Sequence, residues 1–168
     1  YGDQPENIYY YITTLNENYL HPAMPAGAEE GIRKGIYKLE TVAGDKAHVQ
    51  LMGSGSILNY VRRAAVILGE EYGIGSDVYS VTSFNELARD GNDVARWNLL
   101  HPQETPRQSH VEKCLDNAPQ GPVVAATDYV RLDAEQIRPF INGRRYVTLG
   151  TDGYGRSDTR EALRSFFE

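Results

Sequence analysis

A chain of 168 residues is long enough for one domain with a proper core. Its 40% hydrophobic and 24% charged residues are the balance of a globular protein. The formal net charge of −6 excludes a nucleic-acid binder as a class, and the basic pairs Arg62-Arg63 and Arg144-Arg145 are isolated, as on solvated faces. No apolar run approaches the roughly 20 residues that cross a bilayer, and no signal peptide opens the chain. The single cysteine, Cys114, rules out an internal disulfide and suits a reducing cytosol, where the thiol reads as buried and inert.

Ile8–Leu15 is dense in tyrosine, isoleucine and threonine and predicts a strand. Pro22, Pro25 and Gly27 then mark an irregular connector and a domain boundary near residue 28. Gly35–Leu39 alternates like an edge or antiparallel strand. His48–Tyr72 carries the strongest pattern: an apolar run at Val49, Leu51 and Met52, a break at Gly53-Ser54-Gly55-Ser56, then Ile57, Leu58, Val61, Ala64, Ala65, Leu68 and Tyr72 along one helical face. Strand, glycine turn and helix make the first half of a βαβ unit, with Ser56 as the expected helix cap.

Gly73, Gly75 and Asp77 end that helix and lead into a strand at Val78–Thr82. Ser83-Phe84-Asn85-Glu86 fits a capping box for a short helix closed by Gly91, with a further turn or two from Val94 to Leu100. His110–Asn117 predicts a helix with Val111, Cys114 and Leu115 inward. Pro122–Thr127 is a continuous apolar run, as in a strand covered on both faces. Leu132–Ile141 predicts a helix kinked or shortened near Pro139, and Arg145–Leu149 the last strand. A final helix, capped by Ser157 or Asp158, carries Ala162, Leu163, Phe166 and Phe167 on its inner face. The alternation specifies an α/β fold, a mostly parallel sheet of about five strands with helices on both faces.

Several motifs invite chemistry. A dinucleotide fingerprint needs G-x-G-x-x-G after a strand and an acid at the end of the next one. Gly53 and Gly55 meet the first two positions, but Leu58 takes the third, and Asp77 precedes its strand. The turn therefore reads as a tight corner. Asp90-Gly91 with Asn117 has the spacing of a thiamine diphosphate metal motif, but Arg89 stands where a glycine is needed and the pair sits on a helix; Asp152-Gly153 has too little chain after it. His21, His48, His101 and His110 share no metal-ligand spacing. His101, between Leu100 and Pro102, is expected to hydrogen-bond a helix end. No G-x-S-x-G elbow is present. Thr151–Asp158 is the densest polar cluster, following a strand and preceding a helix. Its reading is open between a capped βα loop and a surface that docks a partner, with Asp152, Tyr154, Arg156 and Asp158 as candidate interface residues.

The runs NENY, HPAMPAGAEEGIRKGIYKLE, VQLMGSGSIL, SDVYSVTSFNELARDG, RWNLLHP, VAATDY and LGTDGYGRSDTREALRSFF resemble the family of homodimeric bacterial pyruvate dehydrogenase E1 components. The resemblance runs from end to end, and Ser80–Gly91 and Leu149–Leu163 are its most specific parts. It implies that residues 1–28 are the tail of a pyrimidine-binding domain with its connector. Residues 29–168 would be a transketolase-type C-terminal domain, a three-layer α/β/α sandwich whose mixed sheet has one antiparallel strand, and the family's domain continues past Glu168. Tyr1 and the helix that stops at Glu168 agree with a piece of a larger polypeptide.

The implied activity is decarboxylation of pyruvate with thiamine diphosphate and Mg2+, and acetylation of the lipoyl arm of a dihydrolipoyl acetyltransferase core, by a cytoplasmic homodimer. The family's metal motif, activating glutamate and active-site histidines fall upstream of Tyr1. No catalytic, cofactor or metal residue is therefore assigned within the chain, whose role would be scaffold and dimer contacts. Two other classes remain: a stand-alone binding or regulatory module of the same shape, and a small nucleotide-dependent oxidoreductase.

Overall fold

The computed structural model describes residues 7–12 and 18–167. Its centre is one sheet of five strands, β1 (Ile36–Val42), β2 (Ala47–Ser54), β3 (Ile74–Val81), β4 (Val123–Val130) and β5 (Tyr146–Thr151). They lie side by side in the order β1-β3-β2-β4-β5. β1 runs antiparallel to β3 and every other pairing is parallel. The expected antiparallel strand is thus β1. Only a short connection joins it to β2, and β3 lies between them. Asp45 and Lys46 both donate their backbone N–H to Gly73 O at 3.0 Å, which fastens that connection under the start of β3.

Among the described residues there are six α-helices: α1 (Glu29–Arg33), α2 (Ile57–Tyr72), α3 (Phe84–Leu100), α4 (His110–Asp116), α5 (Leu132–Glu135) and α6 (Arg160–Phe167). Side chains alternate along a strand, so each strand feeds two cores. On one face Ile36, Met52, Tyr79, Val81, Val123, Ala125 and Tyr146 pack with Phe84 and Leu87 of α3, Val111 and Leu115 of α4, and Ala134 of α5. On the other, Val49, Leu51, Val78 and Ala126 pack with Leu58, Val61 and Ala65 of α2. Each fully buried aliphatic side chain contributes roughly 1.5–3 kcal/mol. This is the expected α/β/α sandwich. Its second face is covered over β3 and β2, whereas Val124 and Val147 beyond them are half-buried and Leu149 is 53% exposed.

Several local expectations are corrected. Residues 8–12 form no strand and are exposed: a segment of strand formers needs a neighbouring strand for its backbone groups, and none of the five lies beside it. Residues 13–15 of that stretch fall outside the described residues. α3 does not stop at Gly91 but runs through it to Leu100, 17 residues in all. Ser83 caps it, accepting from Glu86 N at 3.0 Å, but the Glu86 carboxylate turns to Arg89 instead of closing the box. The complete capping box is at Ser109 and Glu112, starting α4. Ser56 is buried, helical in its own backbone, and caps nothing with its side chain. The Leu132–Ile141 helix breaks before Pro139 into α5 and a 3-10 turn at Arg138–Phe140. α6 is capped by Thr159, whose hydroxyl accepts from Ala162 N at 3.3 Å, and not by Ser157 or Asp158. Its Ala162 and Phe166 are exposed and Leu163 is half-buried; the side chain of Phe167 lies outside the described residues.

Candidate functional site

In an open α/β sheet, ligands gather beyond the carboxyl ends of the strands, where the strand order reverses. Here the chain passes from β2 outward to β3, then crosses back to β4 on the other side of β2. The crevice lies between the Gly53–Ser56 turn and the end of β4. Gly53 lets α2 pack close: a Cβ there would stand 2.9 Å from Leu58 Cα and 3.0 Å from Val61 Cγ2. Gly55 has φ +56°, a left-handed conformation that glycine adopts freely.

Across the crevice Thr127 Oγ1 accepts from Ser54 Oγ at 3.1 Å and from Tyr129 N at 3.2 Å, which sets the course of the chain at Asp128. Asp128 then brings its carboxylate against the turn, both oxygens 3.4 Å from where a Gly55 Cβ would be. The place a phosphate takes in nucleotide-binding relatives of this architecture therefore holds a carboxylate of the chain itself. Burial, and after it the charge of Asp128, hold the Asp133 carboxyl above its ordinary value, with a partial offset from Gln136. A phosphate at the turn would meet the Asp128 carboxylate. The sequence reading did not single out Asp128 or Asp133; only the position of Asp128 at the end of an apolar run marks the first of them.

The other acid of the failed fingerprint, Asp77, does not precede its strand as expected: β3 already begins at Ile74, so Asp77 lies within it, towards the amino end and beside Gln50 in register. The Asp-Gly pairs are also placed structurally. Asp90 Oδ2 accepts from His110 N at 2.6 Å, tying α3 to the start of α4, and Gly91 lies inside α3. Asn117 is the last residue of α4's C-terminal cap. These residues do not fit a magnesium site. Among the described residues no three His, Cys, Asp or Glu side chains gather as a metal set, and no helix is long and apolar enough to cross a membrane. His101 Nδ1 contacts Trp97 O at 2.8 Å and its ring stacks on Trp97 at 4.4 Å, which holds the end of α3. Burial pushes the Cys114 thiol up, against a smaller pull from Lys34, so it is a poor nucleophile.

The Thr151–Asp158 cluster follows β5 at the same carboxyl edge. Asp152 pairs with Arg131 at 3.0 Å, and the Arg156 guanidinium lies 4.4 Å from the centre of the Phe166 ring. Asp158 Oδ1 accepts from Thr159 N at 2.7 Å, at the start of α6. Between these tethers Tyr154 is 99% exposed. The structure thus puts Asp152, Tyr154, Arg156 and Asp158 on one exposed loop, anchored at both ends, with an aromatic side chain projecting from it.

The chain is similar over its whole length to three curated proteins named pyruvate dehydrogenase E1 component. It is 64% identical to that of Escherichia coli strain K12 over 168 residues, 100% of this chain and 19% of that protein. It is 59% identical to that of Haemophilus influenzae over 170 residues, and 58% identical to that of Pseudomonas aeruginosa over 167, again 19% of each. The chain thus spans about a fifth of the length of these relatives. A solved transketolase mutant from Pichia stipitis shares 22% identity over 83% of this chain and 16% of its own, with a TM-score of 0.45, a likeness too distant to carry an argument. The model of the transketolase-like TK C-terminal domain matches residues 35–168, most of the chain and all five strands. The chain belongs to the transketolase-like TK C-terminal domain family.

Proposed function

We propose that this chain is part of a pyruvate dehydrogenase E1 subunit and serves there as scaffold and subunit-contact surface. The observation that carries the reading is identity of 56–64% along essentially the entire chain to proteins of that name. On this reading the parent is a cytoplasmic homodimer that decarboxylates pyruvate and hands the acetyl group to a dihydrolipoyl acetyltransferase core. Residues 1–28 are the tail of the preceding domain and residues 29–168 the C-terminal domain. Thiamine diphosphate and Mg2+ supply the carbanion chemistry, held by residues outside this segment.

Three features support a non-catalytic role for the segment. The Asp128 carboxylate lies against the turn at its carboxyl edge, its two Asp-Gly pairs do not fit a metal, and its thiol is damped by burial. Two features support a contact role. The loop of Asp152, Tyr154, Arg156 and Asp158 presents an exposed aromatic beside fixed charges, the composition of an interface anchor. The sheet face at Leu149 is open, as expected where further protein packs on it. The test is turnover by the full-length protein: thiamine diphosphate- and Mg2+-dependent release of CO2 from pyruvate is expected. A full-length protein that binds the cofactor yet leaves pyruvate intact overturns the reading.

A further inference from the structure

At the amino edge of the sheet, polar side chains of β1, β2 and β3 meet beneath the loop that follows α4. Gln50 lies beside Asp77 in register, and Thr41 of β1 flanks Asp77 on its other side. His48, two residues before Gln50, projects from the same face of the sheet. Gln50 is fully buried and Asp77 is 1% exposed. Asp77 Oδ1 is well satisfied: Lys38 Nζ stands 2.7 Å away and Thr41 Oγ1 donates at 2.6 Å. The amide of Gln50 donates through Nε2 to Pro119 O at 3.0 Å.

Three buried atoms of this group have no hydrogen-bond partner in the protein: Asp77 Oδ2, Gln50 Oε1 and His48 Nε2. His48 Nε2 stands 3.4 Å from Asp77 Oδ2, within reach of charge attraction but not aligned as a hydrogen bond. Buried polar atoms in folded proteins are almost always partnered, because each one left bare loses its hydration without replacement. The two oxygens both need a donor. An imidazole with its hydrogen on Nε2 needs an acceptor.

We propose that this cluster is a built site for one internal water molecule. The water donates one hydrogen to Asp77 Oδ2 and the other to Gln50 Oε1, and accepts from His48 Nε2–H. That satisfies all three atoms at once with three hydrogen bonds, the usual complement of a buried water. A cation fits less well. The Lys38 ammonium already sits on the Asp77 carboxylate and supplies its counter-charge. Through Gln50 and Asp77 the water links the β2–β3 pair to the Pro119 loop and to β1. The site lies at the opposite end of the sheet from the loop of Asp152–Asp158 and does not rest on the proposed activity.

The test is a crystal structure of the full-length protein at a resolution that shows internal waters, with a second crystal soaked in a thallium(I) salt. One peak within hydrogen-bond distance of all three atoms, without anomalous signal from thallium, is expected. A Gln50→Met variant of the same protein should lose or displace that peak while Asp77, Lys38 and Thr41 keep their contacts. Direct bonding of His48 Nε2 to Asp77 with no peak between the three atoms overturns the proposal. An anomalous peak there also overturns it, in favour of a monovalent cation, and so does a peak that Gln50→Met leaves unmoved.

Discussion

Phe140 lays its ring against Gly91 in the middle of α3: a Cβ at position 91 would stand 2.4 Å from Phe140 Cε2 and 2.7 Å from Cγ. Gly91 is buried, and Phe140 belongs to the core on that face of the sheet, so the whole ring would have to move. In an exposed helix Gly→Ala stabilises by about 1 kcal/mol. Here overpacking costs about 1–3 kcal/mol and outweighs that gain. Gly91→Ala should therefore lower stability, and adding Phe140→Leu should recover part of the loss. Urea unfolding of the three variants reads both signs; a stabilised Gly91→Ala would contradict the packing account.

Arg144 closes the C-terminal end of α4. Its guanidinium donates to Leu115 O, Ala118 O, Pro119 O and Gly121 O at 2.7–3.3 Å, gathering carbonyls of the last helical turn and of the loop that follows. Arg144→Met should cost about 2 kcal/mol, in the range for hydrogen bonds to a charged group. Arg144→Lys should restore little, because an ammonium cannot span the fork. Equal stability of the lysine variant and the wild type, by denaturant titration, would show that charge alone suffices.

Glu135 is held down to about 2 by the bidentate Arg138 guanidinium and then by the Thr148 hydroxyl, against a small opposing effect of burial. Its folded value lies below the ordinary 4.5, so its contribution is complete above that pH and is lost as pH falls through about 2. The half-buried pair lies at the surface, where solvent screens it, so the effect on stability is small and the proton itself is the better readout. Thr148→Val should raise the Glu135 titration midpoint and Arg138→Met should raise it further, as followed by carboxyl NMR shifts. A midpoint that neither change moves would remove both causes.

These residues also show what was legible in the sequence. The β2–turn–α2 unit was readable because two periodicities meet at a glycine turn. β1, β4 and β5 were readable from short runs of strand formers. The family resemblance came from contiguous words and needed no geometry. Gly91 was misread as a helix stop because a glycine's local preference is silent about the ring above it; Phe140 lies 49 residues away. Ser56 and Ser157 look like caps, but Ser56 was drawn into the core and Thr159 took the place of Ser157. The approach of Asp128 to the Gly55 turn depends on the β2–β4 pairing, and Thr127-Asp128 alone cannot announce it. The strand expected at Ile8–Leu15 had the right residues and, where described, no neighbouring strand.

Arg156 should matter to assembly more than to folding. It lies on an exposed loop with its guanidinium on the Phe166 ring, so reversing its charge removes a surface cation–π contact worth about 0.5–1 kcal/mol. If the loop meets a second subunit, Arg156→Glu places a repulsive charge at that contact and the full-length protein dissociates at lower dilution. Arg156→Lys should stay near wild type. Sedimentation velocity separates the outcomes; an unchanged profile for Arg156→Glu counts against a subunit contact there.

The central claim is that this segment supports chemistry performed elsewhere in the polypeptide. The most direct measurement compares release of CO2 from pyruvate by the purified 168-residue chain and by the full-length protein, both with thiamine diphosphate and Mg2+. The account predicts turnover by the full-length protein and none by the chain above a heat-denatured control. Turnover by the 168-residue chain alone would contradict it.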